Sequence, residues 1–379
     1  MRFLINASNL KKGGGLQVCD SVCRELHKSR HEFVVILPSV MNNTREAIER
    51  CSNLQVVTYD LRVRLSTILF GRDRYLDGIV KEKRVDAVLT LFGPSVWIPK
   101  CPHVCGFARA QLIIPESPYY IRMGMMALLK NRVVYSIKEW AFKRCSSVFY
   151  TEAPYSTERL KNKWNGKKVY TVTNFYNQVF DEPGKWKEKK IPLFDGVTFL
   201  TISSPSPHKN LGIAAEVAKL LHVSHPEFKF RFVFTFDRNQ YDGKIEMVEN
   251  CFEFVGSVDV SECPSLYRQS DIVFQPTLLE CFTASYPEAM RMERPIITTD
   301  LEFAHGLCGD AAYYYSAVDA NACAEALYKV ATDEPLKNKL VENGKKRITL
   351  FDNYEKRAEK LISLLEKVTA KFLEIEHTE

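Results

Sequence analysis

The stretch Ile272-Val-Phe-Gln-Pro-Thr-Leu-Leu-Glu280-Cys-Phe-Thr-Ala-Ser-Tyr-Pro-Glu288-Ala-Met290 decides the fold of the second half of this chain. An apolar strand leads into a loop, and the pattern that follows predicts the start of a helix. Such a junction gathers free backbone N–H groups and the positive helix end at one spot, so it predicts an anion site. Glu280 enters that spot from the loop, and Glu288, about two turns further along, can point the same way. Amides suit phosphate and carboxylates suit sugar hydroxyls, so the stretch predicts a nucleotide-sugar site.

Short apolar runs alternate with longer helical stretches along the chain and form two series. The first lies at residues 3–6, 33–37, 54–57, 87–91 and 147–150, and the second at residues 198–202, 230–234, 252–255, 272–274 and 295–298. Apolar strands separated by helices indicate βαβ units and parallel sheets. The pattern predicts an α/β protein with two Rossmann-like domains that face each other across a cleft, with ligands at the carboxyl ends of the strands.

The segment between the two series, residues 177–194, is rich in Lys, Asp, Glu and Pro and has little periodicity. It is interpreted as a linker. This gives a first domain at residues 1–176, a second domain at residues 195–350 and a C-terminal segment at residues 351–379. An amphipathic pattern that begins at Tyr354 predicts a packed terminal helix.

Length and composition exclude several classes of protein. The 379 residues suffice for two ordinary domains, and no apolar run approaches the roughly 18 residues that span a bilayer. The eleven scattered cysteines are typical of reduced thiols in a cytoplasmic protein. A nucleic-acid-binding protein or scaffold would use the basic half, but signatures of nucleic-acid-binding modules are missing, so no nucleic acid partner is expected.

Charge is distributed unevenly along the chain. Residues 1–176 carry 28 Lys and Arg against 14 Asp and Glu, whereas residues 177–379 carry 24 against 32, and the two nets of +14 and −8 give the total of +6. The first half therefore favours an anionic partner. Residues 119–144 mix basic, aromatic and aliphatic side chains, which could lie on the inner face of an anionic membrane. By itself this segment also fits a buried helix pair with solvated charges.

Two loops carry further candidate ligand contacts. Gly13, Gly14 and Gly15 follow the first strand, where glycines let a backbone approach a ligand closely, although a simple tight turn explains them equally well. Lys209 and Asn210 follow the first strand of the second domain and precede a helix expected from about Leu211. A cation at that position suits a diphosphate.

The second half resembles the donor half of glycosyltransferase family 4, whose members are GT-B enzymes. The resemblance rests on a series of motifs: Lys209-Asn210, Phe254-Val-Gly256, Leu266-Tyr-Arg-Gln-Ser-Asp271, the Glu280 and Glu288 pair, and Pro295. It implies a nucleotide diphosphate sugar as co-substrate, retention of anomeric configuration, and a glycan or lipid-linked acceptor in polysaccharide or glycolipid biosynthesis. It also implies that the C-terminal helix crosses back to the acceptor-side first domain.

The resemblance assigns roles to individual residues. Lys209 would bind the diphosphate, Glu280 the sugar hydroxyls and Glu288 the ribose. The base would be read near Gly256. The site is completed by the amides that would face the sugar and phosphates and by the loop that would close over the diphosphate: Phe282, Thr283, Ala284, Gly13, Gly14 and Gly15.

This chain departs from the family pattern at several positions. The family usually has Arg where Ser204 stands, and Arg109 is a candidate to supply the missing phosphate or acceptor contact. Many members have a catalytic His in the first domain, for which His103 is the nearest candidate. Cys281 replaces a usual Gly. These departures leave a degenerate, non-catalytic binding protein as an alternative.

The expected chemistry requires no metal. The chain contains no Asp-x-Asp pair to hold a metal-bound diphosphate, so Lys209, helix dipoles and backbone amides would stabilise the leaving group. In a front-face reaction the leaving phosphate takes the acceptor proton, and Glu280 contacts sugar hydroxyls instead of acting as a nucleophile. A nucleotide-sugar epimerase of the same architecture is the alternative enzyme. It would need acid or base groups from the first domain, where His103 and Glu116 are the candidates.

Overall fold

The computed structural model describes residues 1–376 apart from residues 12, 122, 242 and 246. The chain folds as two compact units. The first contains Met1–Ile113, Gly124–Asn174 and Asp352–Glu379, and the second contains Ile114–Met123 and Phe175–Phe351.

Within the described residues, strands alternate with helices through most of the chain. The strands are β1 Arg2–Asn6, β2 Glu32–Leu37, β3 Leu54–Thr58, β4 Ala87–Thr90, β5 His103–Phe107, β6 Val148–Thr151, β7 Lys168–Thr171, β8 Val197–Thr201, β9 Phe230–Phe234, β10 Phe252–Phe254, β11 Ile272–Gln275, β12 Ile296–Thr299 and β13 Ala312–Tyr315. The α-helices are α1 Gly14–Glu25, α2 Asn42–Ile48, α3 Leu65–Phe70, α4 Arg74–Glu82, α5 Ala110–Ile113, α6 Met125–Cys145, α7 Pro154–Lys163, α8 Ile213–Ser224, α9 Cys263–Arg268, α10 Ser285–Arg291, α11 Glu302–Cys308, α12 Ala320–Thr332, α13 Glu334–Ile348 and α14 Tyr354–Glu376.

The first unit is built on a seven-stranded parallel sheet with the strand order β3-β2-β1-β4-β5-β6-β7. Its strands β1, β2, β4 and β5 are mostly apolar and buried, as expected for strands covered on both faces. α14 packs on α1 and inserts Leu361, Leu364 and Leu365 into the core. Each of these buried leucines contributes about 1.5–3 kcal/mol, which explains why the C-terminal segment belongs to this unit.

The second unit is built on a six-stranded parallel sheet with the order β10-β9-β8-β11-β12-β13. Stacked phenylalanines of β9 and β10 form much of its core, together with the apolar face of α8. The predicted fold class, two Rossmann-like parallel-sheet domains, is confirmed. In each sheet the strand order reverses once, between β1 and β4 in the first unit and between β8 and β11 in the second.

Three strands of the structure were absent from the predicted series. β5 contains His103 and Gly106, which interrupt its apolar run, and β7 and β13 are short strands at the edges of the two sheets. Edge strands are less buried, so their sequence signal is weak. β7, for example, alternates between exposed and buried residues.

Two segments outside residues 195–350, the predicted second domain, lie in the second unit. Residues 177–194, interpreted as a linker, are part of the second unit, where the backbone N–H of Lys187 donates to Ser261 O and that of Ile191 to Gln269 Oε1. Ile114–Met123, which lie between α5 and α6, also belong to the second unit.

Among the described residues, no helix is both long and apolar enough to cross a membrane. The same residues contain no group of three or more His, Cys, Asp or Glu side chains arranged to hold a metal ion.

Candidate functional site

The reversal of strand order in the second unit brings two polar loops together. One loop leaves the carboxyl end of β8 and carries Ser204, Lys209 and Asn210, and the other leaves β11 and carries Glu280. Open α/β sheets bind ligands at the carboxyl edge, where the strand order reverses. The arrangement of this sheet therefore places the predicted residues of both loops at the expected ligand position.

An ion pair between Lys209 and Glu280 forms the centre of this edge. Lys209 Nζ lies 2.5 Å from Glu280 Oε1, and the side chains are only 15% and 10% exposed. Thr277 Oγ1 donates a second hydrogen bond of 2.8 Å to the same carboxylate oxygen. A shielded ion pair of this kind holds a cation and a carboxylate ready for a ligand that carries both negative charge and hydroxyl groups.

A backbone hydrogen bond joins the two loops, and a side chain of β12 holds the second loop. The N–H of Leu278 donates to His208 O at 2.8 Å, and Thr299 Oγ1 donates to Thr277 O at 2.7 Å. His208 is partly buried, and this burial lowers the pKa of its imidazole, so the ring is neutral at neutral pH. The two loops are therefore joined by a hydrogen bond close to Lys209 and Glu280.

The residues predicted to offer amides lead directly into α10. Phe282, Thr283 and Ala284 precede the helix, and no side chain caps its N-terminus. Ser285 Oγ donates to Ile202 O at 3.2 Å, which ties the helix start to the loop after β8. The backbone of this segment therefore lies at the same carboxyl edge as Lys209 and Glu280.

Glu288 is a buried carboxylate on α10 and is 4% exposed. Tyr267 Oη donates to Glu288 Oε2 at 2.8 Å. Burial raises the pKa of Glu288 to about 7, and the Tyr267 hydrogen bond opposes this rise. The group therefore changes charge near neutral pH, which is unusual for a glutamate.

The remaining predicted residues of the second unit lie in loops at the same edge. Ser204 is exposed, and its hydroxyl lies 3.3 Å from Ser206 Oγ. Asn210 is buried in a left-handed conformation with a φ of 52°. Gly256 has a φ of 72°, and a Cβ at this position would lie 3.3 Å from Asp237 Oδ1. The conformation at Gly256 favours glycine.

In the first unit, the predicted glycine loop forms the N-terminus of α1. Gly13 caps the helix with a φ of 79°, and α1 has neither a side-chain cap nor an acidic residue in its first turn. A Cβ on Gly13 or Gly14 would meet no atom within 4 Å, whereas one on Gly15 would touch Leu10 and Phe92 at 3.4 Å. Gly13 and Gly14 are thus exposed at the surface beyond the end of β1.

His103, for which a catalytic role was predicted, bonds within the core of the first unit, and that role stays a prediction. Its Nε2 lies 2.9 Å from Thr90 Oγ1 and its Nδ1 lies 2.8 Å from Cys145 O, so both ring nitrogens bond within the interior. Burial lowers the pKa of His103 to about 4. The residue is a neutral core histidine at the start of β5. Arg109, by contrast, is exposed just beyond the end of β5, close enough to Tyr135 and Lys138 of α6 to affect their pKa values.

Sequence reasoning missed several residues that shape the site. Thr277 bonds to Glu280 Oε1, and Tyr267 bonds to Glu288. Ser117 and Tyr119, from the segment between α5 and α6, contact the two loops of the second unit. Thr277 could have been found from its place in the loop, but no local pattern links Ser117 to a partner 161 residues away.

Comparison with a family model gives a match over residues 184–347, and the family is described as Glycosyl transferases group 1. The match covers most of the second unit. No curated protein matches the sequence.

Solved structures extend the likeness to nearly the whole chain. Sucrose-phosphate synthase from Thermosynechococcus elongatus has a TM-score of 0.70 at 15% identity, covering 98% of this chain and 99% of its own. WaaG, a glycosyltransferase involved in lipopolysaccharide biosynthesis, scores 0.67 at 14% identity over 96% and 99%. HepE from Anabaena, in complex with UDP and glucose, scores 0.67 at 13% identity over 96% and 99%.

At such identities the likeness shows the fold, which is GT-B. The group 1 domain and the fold of these glycosyltransferase neighbours together support a glycosyltransferase.

Proposed function

We propose that this protein is a retaining glycosyltransferase of family 4, which moves a sugar from a nucleotide diphosphate sugar to a glycan or lipid-linked acceptor. The observation that carries the proposal is the shielded Lys209–Glu280 pair at the reversal of strand order in the second unit. A metabolic role in polysaccharide or glycolipid biosynthesis follows from that reaction.

Lys209 and Glu280 would separate from each other when a donor binds. Lys209 exchanges the Glu280 carboxylate for the diphosphate, and Glu280 accepts hydrogen bonds from sugar hydroxyls. The ribose binds at Glu288, and the amides of Phe282, Thr283 and Ala284 face the sugar and phosphates. The contact of Gly13, Gly14 and Gly15 with the diphosphate stays a prediction of the family resemblance.

The proposed reaction breaks the bond between the anomeric carbon and the diphosphate oxygen. The acceptor oxygen attacks the same face of the sugar, and its proton passes to the leaving phosphate. Lys209 stabilises the negative charge that develops on the leaving group, which is the usual route to a large catalytic effect. No protein base is required, whereas the epimerase alternative needs an acid or base, and both ring nitrogens of its candidate His103 bond within the core.

Uridine nucleotides are the first ligands to test for the identity of the nucleobase in the sugar donor. HepE was solved with UDP, with UDP and glucose, and with UDP-glucose. These ligands belong to HepE, but its shared fold makes UDP-sugars the first candidates for this chain.

A peripheral membrane contact on the cytoplasmic side is proposed for α6. Only Phe142 and Cys145 of this helix are buried among its described side chains. Met125, Met126 and Ile137 are exposed beside basic residues such as Lys130 and Arg132. Exposed apolar side chains flanked by cations suit an anionic membrane that presents a lipid-linked acceptor. Arg122, which precedes this helix, lies outside the described residues.

Vesicle cosedimentation tests this contact. The double variant Met125→Ser and Met126→Ser should bind less to vesicles with anionic lipid, and wild type should bind little to zwitterionic vesicles. Val223→Ser removes an equally exposed apolar side chain from α8 and should bind like wild type. Equal binding by all three proteins would contradict the membrane proposal.

A thermal-shift panel tests the donor proposal directly. UDP-, GDP-, ADP- and CMP-sugars are compared with free sugar phosphates, without metal and with EDTA. A ligand at about 100 times its dissociation constant stabilises the folded state by about 2.7 kcal/mol, which is readable as a rise in Tm. One nucleotide series that raises Tm supports the donor site, and no shift with any nucleotide would point to a degenerate site.

A further inference from the structure

A short segment between α5 and α6 packs against the donor loops of the second unit. It includes a 3-10 turn, Pro118–Tyr120, whose N-terminus is capped by Ser117 Oγ through a 3.2 Å hydrogen bond from Tyr119 N. Ile114 and Ser117 are buried within the second unit. The segment is therefore anchored in the unit that holds Lys209 and Glu280.

Ser117 forms a hydrogen bond to the loop that carries Glu280. Its Oγ donates a 2.6 Å hydrogen bond to Leu278 O, and the residue is 4% exposed. Leu278 lies between Thr277 and Glu280, and its N–H bonds to His208 O. One hydroxyl thus restrains Leu278, the residue that connects both donor loops.

Tyr119 reaches the other donor loop. Its ring packs edge-to-face on His208, with ring centroids 6.3 Å apart. Tyr120 packs on Tyr119 in the same way at 5.1 Å. His208 directly precedes Lys209, so the turn contacts the neighbours of both members of the ion pair.

These contacts with the donor loops matter because catalytic geometry tolerates little error. Charged groups that act on a transition state need to be held within about 0.5 Å, and a misplacement of about 1 Å can cost about a hundredfold in rate. The Lys209–Glu280 pair sits on loops, which are less rigid than strands. Buried contacts from a separate segment supply the missing restraint.

We propose that Ser117 is a positioning residue for the glycosyl transfer, and that Tyr119 supports it. Ser117 fixes the Leu278 carbonyl, which holds the 277–280 loop at the depth where Glu280 meets Lys209. This inference rests on the function proposed above, because it assigns Ser117 to the rate of that reaction and not merely to the stability of the unit.

Donor hydrolysis provides an assay that needs no acceptor. Water replaces the acceptor, the bond from the anomeric carbon to the diphosphate breaks, and free sugar, nucleoside diphosphate and a proton are released. With the nucleotide sugar identified by thermal shift, Ser117→Ala should lower kcat about tenfold or more. The Kd for the nucleoside diphosphate should change less than about twofold, because Lys209 remains, and Ser117→Thr should restore kcat because it keeps the hydroxyl.

Ser146→Ala is the matched control. Ser146 is buried, and its Oγ also donates to a backbone carbonyl, that of His103, at 2.5 Å, but it lies at the amino end of β6 in the first unit. It should lower Tm about as much as Ser117→Ala and leave kcat unchanged. If the two alanine variants have the same kcat, the positioning role is overturned.

A second measurement separates this inference from the proposed function. Burial lowers the pKa of His208, with Glu280 opposing and Lys209 reinforcing that effect. The pKa of His208 is measured by NMR titration of histidine-labelled protein, and the His208→Gln variant assigns its signal. This pKa should move up towards 6.5 in Ser117→Ala and stay unchanged in Ser146→Ala. An unchanged pKa of His208 in Ser117→Ala would contradict the proposal that Ser117 restrains the donor loops. A wild type that binds and hydrolyses no nucleotide sugar refutes the proposed function, and the His208 titration still decides whether Ser117 holds the loops.

Discussion

The carboxyl edges of the two sheets differ in what they offer a ligand. At the β8–β11 edge, Lys209 and Glu280 form a shielded pair held by neighbouring hydroxyls. At the β1–β4 edge, Asn6 and Thr90 bond to each other inside the sheet, and Gly13 presents bare backbone at the surface.

This difference divides the expected effects of substitutions. Charged side chains that point at a ligand affect chemistry when they are removed, because charge stabilisation is lost. Polar side chains that bond inside a core affect folding, because their removal leaves buried partners unsatisfied. Variants at the β8–β11 edge should therefore lose activity, and variants at the β1–β4 edge should lose stability.

The largest effect is expected for Lys209→Met. The loss of a preorganised cation at the leaving group should lower kcat for donor hydrolysis by about 10²–10³-fold, equal to about 3–4 kcal/mol. Lys219→Met, on the exposed face of α8, serves as the matched control and should behave like wild type. Steady-state kinetics of the two variants measure the contrast, and equal rates would remove Lys209 from the mechanism.

Glu288 should make stability and binding respond to pH in opposite directions. Its pKa is raised by burial to about 7 in the folded state, against 4.5 ordinarily. Between these values the folded chain holds more protons than the unfolded chain, so the free energy of unfolding falls by about 3 kcal/mol as pH rises. Glu288→Gln should abolish that loss and be more stable than wild type at pH 8. Nucleotide affinity of wild type should instead rise from pH 6 to 8, because the ionised carboxylate accepts the ribose hydrogen bonds.

Glu152 offers the matched control in the first unit. Burial also raises the pKa of Glu152 to about 7, with the Arg357 guanidinium opposing this rise. Like Glu288→Gln, Glu152→Gln should reduce the fall of Tm as pH rises. Unlike Glu288→Gln, it should leave nucleotide affinity unchanged. Melting curves and binding titrations from pH 5 to 8 test both variants. A Glu288→Gln protein that binds nucleotide like wild type at pH 8 would contradict the ribose assignment.

His103→Ala should be a stability variant only. It leaves Thr90 and Cys145 O without their imidazole partner, which costs about 2 kcal/mol in the free energy of unfolding. Donor hydrolysis at a temperature where the variant is folded should match wild type. Denaturant unfolding and kinetics on one preparation check this, and a folded but inactive variant would support the catalytic role predicted from the family.

The donor edge could be predicted because its signals are local. Glu280, Glu288 and Lys209 stand at junctions of strand and helix, and the apolar strands that set those junctions are visible as short runs. Parallel topology then brings the ends of β8 and β11 together.

The rest depends on contacts between residues distant in the sequence. The position of His103 near a strand start did not reveal that Thr90 and Cys145 occupy both ring nitrogens. Ser117 lies in the sequence of the first half, yet it bonds in the second unit. Local propensity carries no information on which partner a buried polar group finds, so these roles require the folded chain.

The smallest effects concern adjacent glycines at the first edge. Gly13 and Gly14 both have open space for a Cβ, but only Gly13 has a positive φ, of 79°. Gly13→Ala should lower the free energy of unfolding by about 1 kcal/mol or more, because its backbone conformation excludes side chains. Gly14→Ala, at the start of α1, should raise it by about 0.5 kcal/mol, since alanine reduces the entropy of the unfolded chain.

Urea unfolding of the two variants measures this difference, and equal stabilities would contradict the strained conformation at Gly13. Turnover adds a separate result. The space around Gly14 is open in the chain alone, so a methyl group there can harm catalysis only by meeting a ligand. A Gly14→Ala protein that is more stable but turns over its donor more slowly would therefore show that this bare backbone edge is a contact surface for substrate, whereas unchanged turnover would make it a simple helix start.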